Sequence, residues 1–549
     1  MSLIALEMPV LWRTFYNWVC LLFVGGITCI FLLTGCNPRN SVTTSDDAVS
    51  MVWIFCEDQG LFFPQYGDST VAMPALTALA SEGTVFDNMY SVSPVCAPSR
   101  SSIMTGILPT ALGTQHMRAY GKGKRRNPHT GLPFYSAPAP AGVRAFTEYM
   151  RAQGVYCTNR FKEDYNFEAP PLAWDASSPT AHWRNRPDGA PFFSIINLFA
   201  SHESQVWAKA DHPCGVSNHE IEVPPILPDD PAVRKDLATN YCNLMKVDSA
   251  LSEIVAQLKE DGLYAQTTIV FTSDHGGPFP GFKRSVSEAG LHVPFVVKWG
   301  QGVKAPARHA GLFSFLDLAP MALAHFGIPI PPALSGMPVG IQSHGHGAVF
   351  GAGDRFDSEL HRKRSVRAGR WRLTRHDLGK PELSFGITYR NQMGTMNAIW
   401  NQPATQNTRT ESSRLSTPTW ELYDVLADPW CQRSLAGDDA MQSCMDSLRA
   451  LLNEAFPKDE DWGQWDESEM VNHFSVLTGV PLAAASLQHT SSGWSLAHED
   501  PNVSLGWRCA DAKSGWFLSP IPHGLDCDTL ESLSHRIGWP SKTSSHALR

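Results

Sequence analysis

The sequence predicts an α/β protein: a sheet flanked by helices, then a smaller α+β subdomain and a terminal β module. Three observations predict it. Between residues 49 and 346, apolar runs of strand length recur without polar alternation, and helical patterns separate them. Strands of that kind are buried on both faces, which a helix-covered sheet provides. From residue 347 a few strands and one helix occur without that order, and from 474 the texture turns short, glycine-separated and β-like. A chain of 549 residues also exceeds one ordinary domain. The expected units are an export segment (1–36), a linker (37–48), the α/β domain (49–346), the α+β subdomain (347–473) and the β module (474–549).

The elements follow in order. Residues 51–56 (MVWIFC) form the first strand. Residues 74–82 are an amphipathic helix that Gly83 stops, and 84–90 a second strand. A helix over 145–153 precedes the strand-like VYCT, and 191–199 (PFFSIINLF) is another buried strand. Residues 232–261 make a long helix, and 267–273 (TTIVFTS) and 293–299 further strands. In the subdomain, 364–376 reads as two strands joined at Ala368-Gly369, 420–425 as a third, and 438–456 as an amphipathic helix.

Composition narrows the function class. Hydrophobic residues at 43% and charged residues at 18% describe a globular chain. A net charge of −9 argues against a nucleic-acid partner, although a local basic cleft can still take an anion. Residues 18–34 are uncharged and mostly apolar, and Gly35, Cys36 and a Ser/Thr-rich stretch follow. A signal peptide, a membrane span of nearly ~20 residues and a bacterial lipoprotein signal all fit. The last is favoured, because Leu33-Thr34-Gly35-Cys36 resembles a lipobox that leaves Cys36 as a lipidated N-terminus. All three readings export the body, to the periplasm or the cell surface. Export permits disulfides, and closeness in sequence favours Cys431 with Cys444 and Cys509 with Cys527.

The chemistry concentrates in a few motifs. Cys96-Ala97-Pro98-Ser99-Arg100 runs into residues 101–106 (SSIMTG). Pro98 suits a first helical turn, so Cys96 would sit at a helix N-terminus, where free amides attract an anion. Arg100, one turn in, offers a planar cation to a tetrahedral oxyanion. Glu57, Asp58 and Asp274 follow strands and offer hard oxygen ligands, which suits Ca²⁺ or Mg²⁺. His275 is the fourth candidate ligand and keeps a softer metal open.

This pattern resembles the type I, formylglycine-dependent sulfatases of the alkaline-phosphatase-like superfamily. CxPSR with a closing Thr-Gly matches their signature, and the likeness runs along nearly the whole body. Residues 51–58 are similar to the family's first strand and acidic pair, and 74–90 to the segment before the nucleophile. Ser273-Asp274-His275-Gly276 is similar to the second metal motif, and Gly281-Phe282-Lys283-Arg284 to the basic segment after it. Lys162 and Ser201-His202-Glu203 fall where the family places other active-site groups.

The resemblance implies an alkaline-phosphatase-like mixed sheet and a maturation enzyme that oxidises Cys96 to formylglycine. It implies Ca²⁺, with Mg²⁺ as the alternative, on Glu57, Asp58, Asp274 and His275. Hydrated formylglycine attacks sulfur, Arg100, Lys162 and Lys283 hold sulfate oxygens, and His202 protonates the leaving alcohol. Glu57 replaces the commoner Asp. Where the family shows Lys-x-His, this chain has Lys162-Glu163-Asp164. The base for the second step therefore stays open between Asp164 and His116, and loop packing is the other reading of His116.

Substrate signals are weaker. The basic run 121–126 (GKGKRR) and His182-Trp183-Arg184-Asn185-Arg186 point to a sulfated carbohydrate, with His116, Arg118, Trp183 and Arg184 as contact candidates. Trp494, Trp507, Trp516 and Trp539 of the β module are read mainly as core, since small modules need aromatic bulk. Two rival functions stand beside the sulfatase reading. One is a phosphodiester or phosphonate monoester hydrolase with the same nucleophile. The other is a non-catalytic, glycan-binding surface lipoprotein, against which the nucleophile argues.

Overall fold

The computed structural model describes residues 49–548, apart from 122, 124, 125, 161, 213, 302, 304, 384, 385, 402–414, 416, 492 and 512–514. The export segment with Cys36, and part of the 121–126 run, lie outside the described residues.

The large sheet has nine strands: β1 (Ser50–Cys56), β2 (Thr84–Tyr90), β3 (Tyr156–Arg160), β4 (Ala176–Ser177), β5 (Phe192–Leu198), β6 (Thr267–Ser273), β7 (His292–Val293), β8 (Phe295–Lys298) and β9 (Arg308–Ser314). Their order is β4-β3-β5-β1-β6-β8-β2-β7, with β9 beside β2. The run β3-β5-β1-β6 is parallel, and β8 is antiparallel to both β6 and β2. The sheet is therefore mixed, as expected.

Strand β1 shows why its sequence lacks alternation. Met51, Trp53 and Phe55 face a core with Phe146, Met150 and Phe193. Val52, Ile54 and Cys56 face a second core with Leu237, Leu244 and Leu251 of the long helix Pro231–Glu260. Both faces are apolar because both are covered. The turn into β2 needs Gly83, since a Cβ there would stand 2.2 Å from the Val297 carbonyl oxygen.

The second sheet joins β10 (Ala348–Phe356), β11 (Glu359–Ala368), β12 (Trp371–His376) and β13 (Trp420–Asp424) in that order, all antiparallel. Met445, Leu448 and Leu452 of the helix Gln442–Ala455 pack on Val366, Leu373 and Leu422. Arg364 is fully buried in this unit. It donates to Asp461 at 2.7 and 2.8 Å and to Asp354 at 3.0 and 3.1 Å. Arg364→Met strands two buried carboxylates together. The expected cost is about 3–5 kcal/mol, as for other buried pairs that lose one partner. Denaturant melts read it, and a loss below about 1 kcal/mol would refute the assignment.

The chain ends in the hairpin β14 (Ser486–Thr490) and β15 (Gly493–Ala497) and in the three-stranded sheet β16 (Ser504–Cys509), β17 (Thr529–His535) and β18 (Lys542–Ala547). Arg151 on the helix Phe146–Ala152 donates to the Trp516 carbonyl at 2.6 Å, so this module leans on the α/β domain. Of its tryptophans, Trp507 is buried, while Trp494, Trp516 and Trp539 are half-buried.

Two expectations need correction. The helix Glu467–Thr478 runs through the boundary placed at 473/474, and its Met470, Val471 and Phe474 pack on Ala119, Tyr135 and Ala137. Among the described residues the disulfides are Cys214–Cys242 and Cys509–Cys527. Cys431–Cys444 is not among them: Cys431 is buried with Tyr423 and Val425, whereas Cys444 lies on the helix packed against the second sheet.

Candidate active site

Four neighbouring parallel strands end at the same edge of the sheet, and their following residues converge. Past β1 come Glu57 and Asp58, past β6 come Asp274 and His275, past β5 come His202 and Glu203, and past β3 comes Lys162. Carboxyl ends of parallel strands are where α/β sheets bind ligands. The helix Cys96–Thr105 starts at this edge, with Cys96 as its first residue. It ends on Gly106 in the left-handed region, φ +67°. Ser99 donates to the Asp274 carbonyl oxygen at 2.6 Å, which ties the helix to β6.

Around the Cys96 sulfur, which is 2% exposed, stand His275 Nε2 at 3.5 Å, Lys283 Nζ at 3.7 Å and Asp58 Oδ1 at 3.8 Å. Lys283 Nζ lies 2.6 Å from Asp58 Oδ2 and 3.0 Å from Glu203 Oε1. Arg100 donates from Nε to Asp274 at 3.1 Å and from Nη1 to Asn197 at 2.6 Å. Lys162 donates to Glu57 Oε2 at 2.8 Å. The backbone of Asp58 is left-handed, φ +53°, which is uncommon for a residue with a side chain. Its carboxylate accepts from the Glu203 amide at 2.7 Å, and its own amide donates to Asp274 Oδ1 at 3.1 Å.

Charge follows from this packing. Burial opposes ionisation of Asp58, yet Lys283, His202 and His275 outweigh it and hold the carboxyl well below the usual range. Burial likewise works against Lys283, and Asp58 with Cys96 and Glu203 keeps it charged. His275 Nδ1 faces the Gly276 carbonyl at 2.9 Å and must donate there, which turns Nε2 toward the carboxylates. His202 Nδ1 accepts from the Ser204 amide at 3.2 Å, so the neutral ring carries its proton on Nε2, 3.8 Å from Asp58 Oδ2.

A divalent cation fits these residues. Ligand atoms of Asp58, Asp274, His275 and Cys96 lie within 4.8 Å of one another, all buried. Glu57 stands at the edge of this group. Its Oε1 is buried without a hydrogen-bond partner, 3.9 Å from an equally unpartnered Arg100 Nη2. An orphaned buried carboxylate oxygen beside a hard oxygen set is what a calcium or magnesium ion satisfies.

The substrate-contact candidates divide. Arg118 lies beside Asp357, with Nε 3.7 Å from Oδ1. Trp183 needs correction. The Trp183 ring is 1% exposed in the second core and donates to Asp261 at 2.8 Å, and Arg184 pairs with Asp261 at 2.9 Å. The buried Trp183 ring therefore offers no face to a sugar, whereas Arg184 is exposed and pairs with Asp261 just past the end of the long helix. His116 is buried, and its Nδ1 accepts from the Arg355 amide at 3.2 Å. A cavity of about 1010 Å³ opens elsewhere, lined by Phe62, Tyr241 and Trp430 and without Cys96 or Arg100.

His116 belongs to a set of histidines buried as neutral rings. Burial, only partly offset by Glu467, pushes it down to about 4, and burial alone takes His535 to about 4. Unfolded, each titrates near ~6.5. The unfolded chain therefore binds more protons between those values, and stability falls as pH drops from about 6.5 to about 4. Urea melts between pH 7 and 4.5 are expected to show that fall, with a shallower slope in His535→Gln. An unchanged slope would contradict it.

Sequence reasoning placed Arg284 in the basic segment 281–284 without a role, and passed over Asp357 and Tyr389. Arg284 grips Glu203 with two bonds of 2.8 and 2.9 Å and donates to Asp357 at 3.0 Å. Its place directly after Lys283 was the only local signal. Asp357 and Tyr389 come from the second unit and carry none.

Comparison with known proteins agrees with this geometry. A family model described as Sulfatase matches residues 50–328. An ulvan-active sulfatase of Formosa agariphila is 32% identical over 549 aligned residues, covering 90% of each chain. Human N-sulphoglucosamine sulphohydrolase is 25% identical over 466, covering 73% of this chain and 88% of its own. Among solved structures, a 2-O GAG sulfatase aligns with a TM-score of 0.54 at 16% identity, covering 75% of this chain and 93% of its own. A protein solved with its substrate D-glucosamine-2-N,6-O-disulfate aligns with a TM-score of 0.52 at 14% identity, covering 77% and 99%. These two structures share the fold, and the family match with the Formosa relative shows that this chain belongs to the sulfatases, which hydrolyse sulfate esters.

Proposed function

We propose that this sulfatase removes sulfate esters from a sulfated carbohydrate, with formylglycine made from Cys96 as nucleophile. The observation that carries the proposal is the set around the Cys96 sulfur: a helix N-terminus, Lys283, Asp58 and His275, all within 3.8 Å of it. The carbohydrate is supported by the Formosa relative, an ulvan-active sulfatase that aligns over nine-tenths of both chains.

Asp58, Asp274 and His275 would hold the cation, with Glu57 beside them; Ca²⁺ is favoured and Mg²⁺ is the alternative. Hydrated formylglycine supplies the attacking oxygen, and the cation when bound supplies positive charge beside it. The chain's own residues do the rest. Arg100 and the helix amides orient the sulfate. Lys162 and Lys283 meet its oxygens as charge builds. His202 presents its Nε2 proton to the leaving alcohol. His116 has its Nδ1 engaged by the Arg355 amide, and the second base is assigned to Asp164, whose charge acts on Arg100.

Mass spectrometry of enzyme from a host with the maturation system tests this. The Cys96 peptide is expected to have lost sulfur and two hydrogens and gained oxygen. An unmodified thiol in active enzyme would sink the mechanism. The same spectra read the export proposal, in which the enzyme sits outside the cytoplasm on a lipid at Cys36. A lipid-modified Cys36 supports it, and an intact preceding segment overturns it. Among the described residues no helix is long and apolar enough to cross a membrane.

A further inference from the structure

The groups surrounding His202 decide where the leaving alcohol can lie, because an acid must touch the oxygen it protonates. Besides the charged groups, the rings around His202 are aromatic. The Phe199 ring stacks on His202 at 4.9 Å with 17° between planes, and Phe199 is 41% exposed. The Tyr389 ring lies 6.5 Å from His202 and meets Trp207 edge-on at 5.1 Å. Both Tyr389 and Trp207 are half-buried, so each keeps surface toward solvent. These three side chains come from separate segments: Phe199 follows β5, Trp207 lies in the helix Ser204–Ala208, and Tyr389 belongs to the second unit. Aromatic faces on a rim suit the apolar C–H face of a sugar ring.

One cation completes the rim. The Arg118 guanidinium lies 5.5 Å above the Tyr389 ring, and its side chain is 47% exposed. Its acidic neighbour Asp357 is already bonded by Arg284 at 3.0 Å, whereas Arg118 Nε stands 3.7 Å away. At 3.7 Å Arg118 Nε is beyond hydrogen-bond distance of Asp357, which leaves that donor for a second anion. Arg118 also holds a left-handed backbone, φ +58°, a conformation that a non-glycine residue keeps only where the surroundings enforce it.

We propose that Phe199, Trp207 and Tyr389 form the subsite for the sugar released by desulfation, and that Arg118 reads a second anionic group on that sugar. The proposal rests on His202 being the acid of the reading above. It specifies the substrate as a sugar with two negative groups: the sulfate that is cleaved and a carboxylate or second sulfate that is kept. A planar guanidinium matches either anion with two parallel bonds.

Steady-state kcat/KM on four probes tests it. Phenyl sulfate needs the acid but brings no sugar. A monosulfated disaccharide with a uronic acid, the same disaccharide with its carboxyl reduced to an alcohol, and the reduced form with a second sulfate provide the arms. The native enzyme is expected to prefer one of the doubly anionic disaccharides over the singly charged one by about tenfold or more, the scale of a charge-assisted hydrogen bond. Which one it prefers identifies the anion. Arg118→Gln is expected to erase that preference. Tyr389→Ala is expected to lower kcat/KM on every disaccharide by about tenfold more than on phenyl sulfate. Three results would overturn the proposal: no preference in the native enzyme, a preference kept in Arg118→Gln, or equal losses on phenyl sulfate and disaccharides in Tyr389→Ala. An enzyme that cleaves phenyl sulfate but no disaccharide overturns the subsite alone. One that cleaves nothing overturns the acid assignment with it.

Discussion

Cys96→Ala is expected to abolish sulfate-ester hydrolysis, with kcat falling about 10⁴-fold or more, as when other covalent hydrolases lose their nucleophile. The loss should come without unfolding. Alanine is the best helix former, and the change removes a single sulfur atom from the first turn of the helix Cys96–Thr105. The ion pairs of Lys283 with Asp58 and Glu203, and of Arg100 with Asp274, do not pass through that sulfur. Thermal melts should therefore nearly superimpose on those of the native enzyme while turnover vanishes. Retention of more than a few per cent of native kcat would show that Cys96 is a neighbour of the nucleophile and not its precursor.

Lys283→Met carries the second large effect. The ammonium stands 2.6 Å from Asp58, 3.0 Å from Glu203 and 3.7 Å from the Cys96 sulfur, at 2% exposure. In so dry a place a fixed positive charge acts strongly on charge that develops beside it. Removing it is expected to lower kcat about 10²–10³-fold, the scale for one preorganised electrostatic contact. Glu203 keeps two bonds from Arg284, so the chain should stay folded, although Asp58 loses its shortest partner. Lys283→Arg should not restore activity, because a planar fork cannot occupy the position of a compact ammonium among three acceptors. A kcat within tenfold of native in Lys283→Met would remove this residue from the sulfate-binding set.

The legible part of the sequence was local. β2 and β6 were expected over their observed residues, because each is a short apolar run between clear stops. β10 was missed, since Gly351, Gly353, Asp354 and Arg355 interrupt its apolar pattern. Those polar residues belong there for reasons held elsewhere in the chain: Asp354 serves Arg364, and Arg355 serves Glu467. Trp183 misled for the opposite reason. Its charged sequence neighbours suggested a surface, while its ring turns inward and only the N–H reaches Asp261. The acidic pairs and Cys96 were readable because each sits at a strand end or helix start, and Lys283, in a turn, because it follows the second pair at a recognisable spacing. Asp357, Tyr389 and the Cys214–Cys242 bond depend on folding distant segments together, and no local pattern announces such contacts.

The Arg284 bridge from Glu203 to Asp357 also bears on time. Chains emerge from the ribosome N-terminus first, and domains fold as they appear. Cys96, both acidic pairs and Lys283 are made long before Asp357 and Tyr389. Cys96 thus spends the later part of synthesis without Asp357 and Tyr389. If formylglycine is made from Cys96 as proposed, that interval is when a maturation enzyme would reach a residue that ends up 2% exposed. A chain stopped at the close of the first sheet would hold every residue proposed for sulfate chemistry, yet leave the Arg284 charge without one of its two anchors.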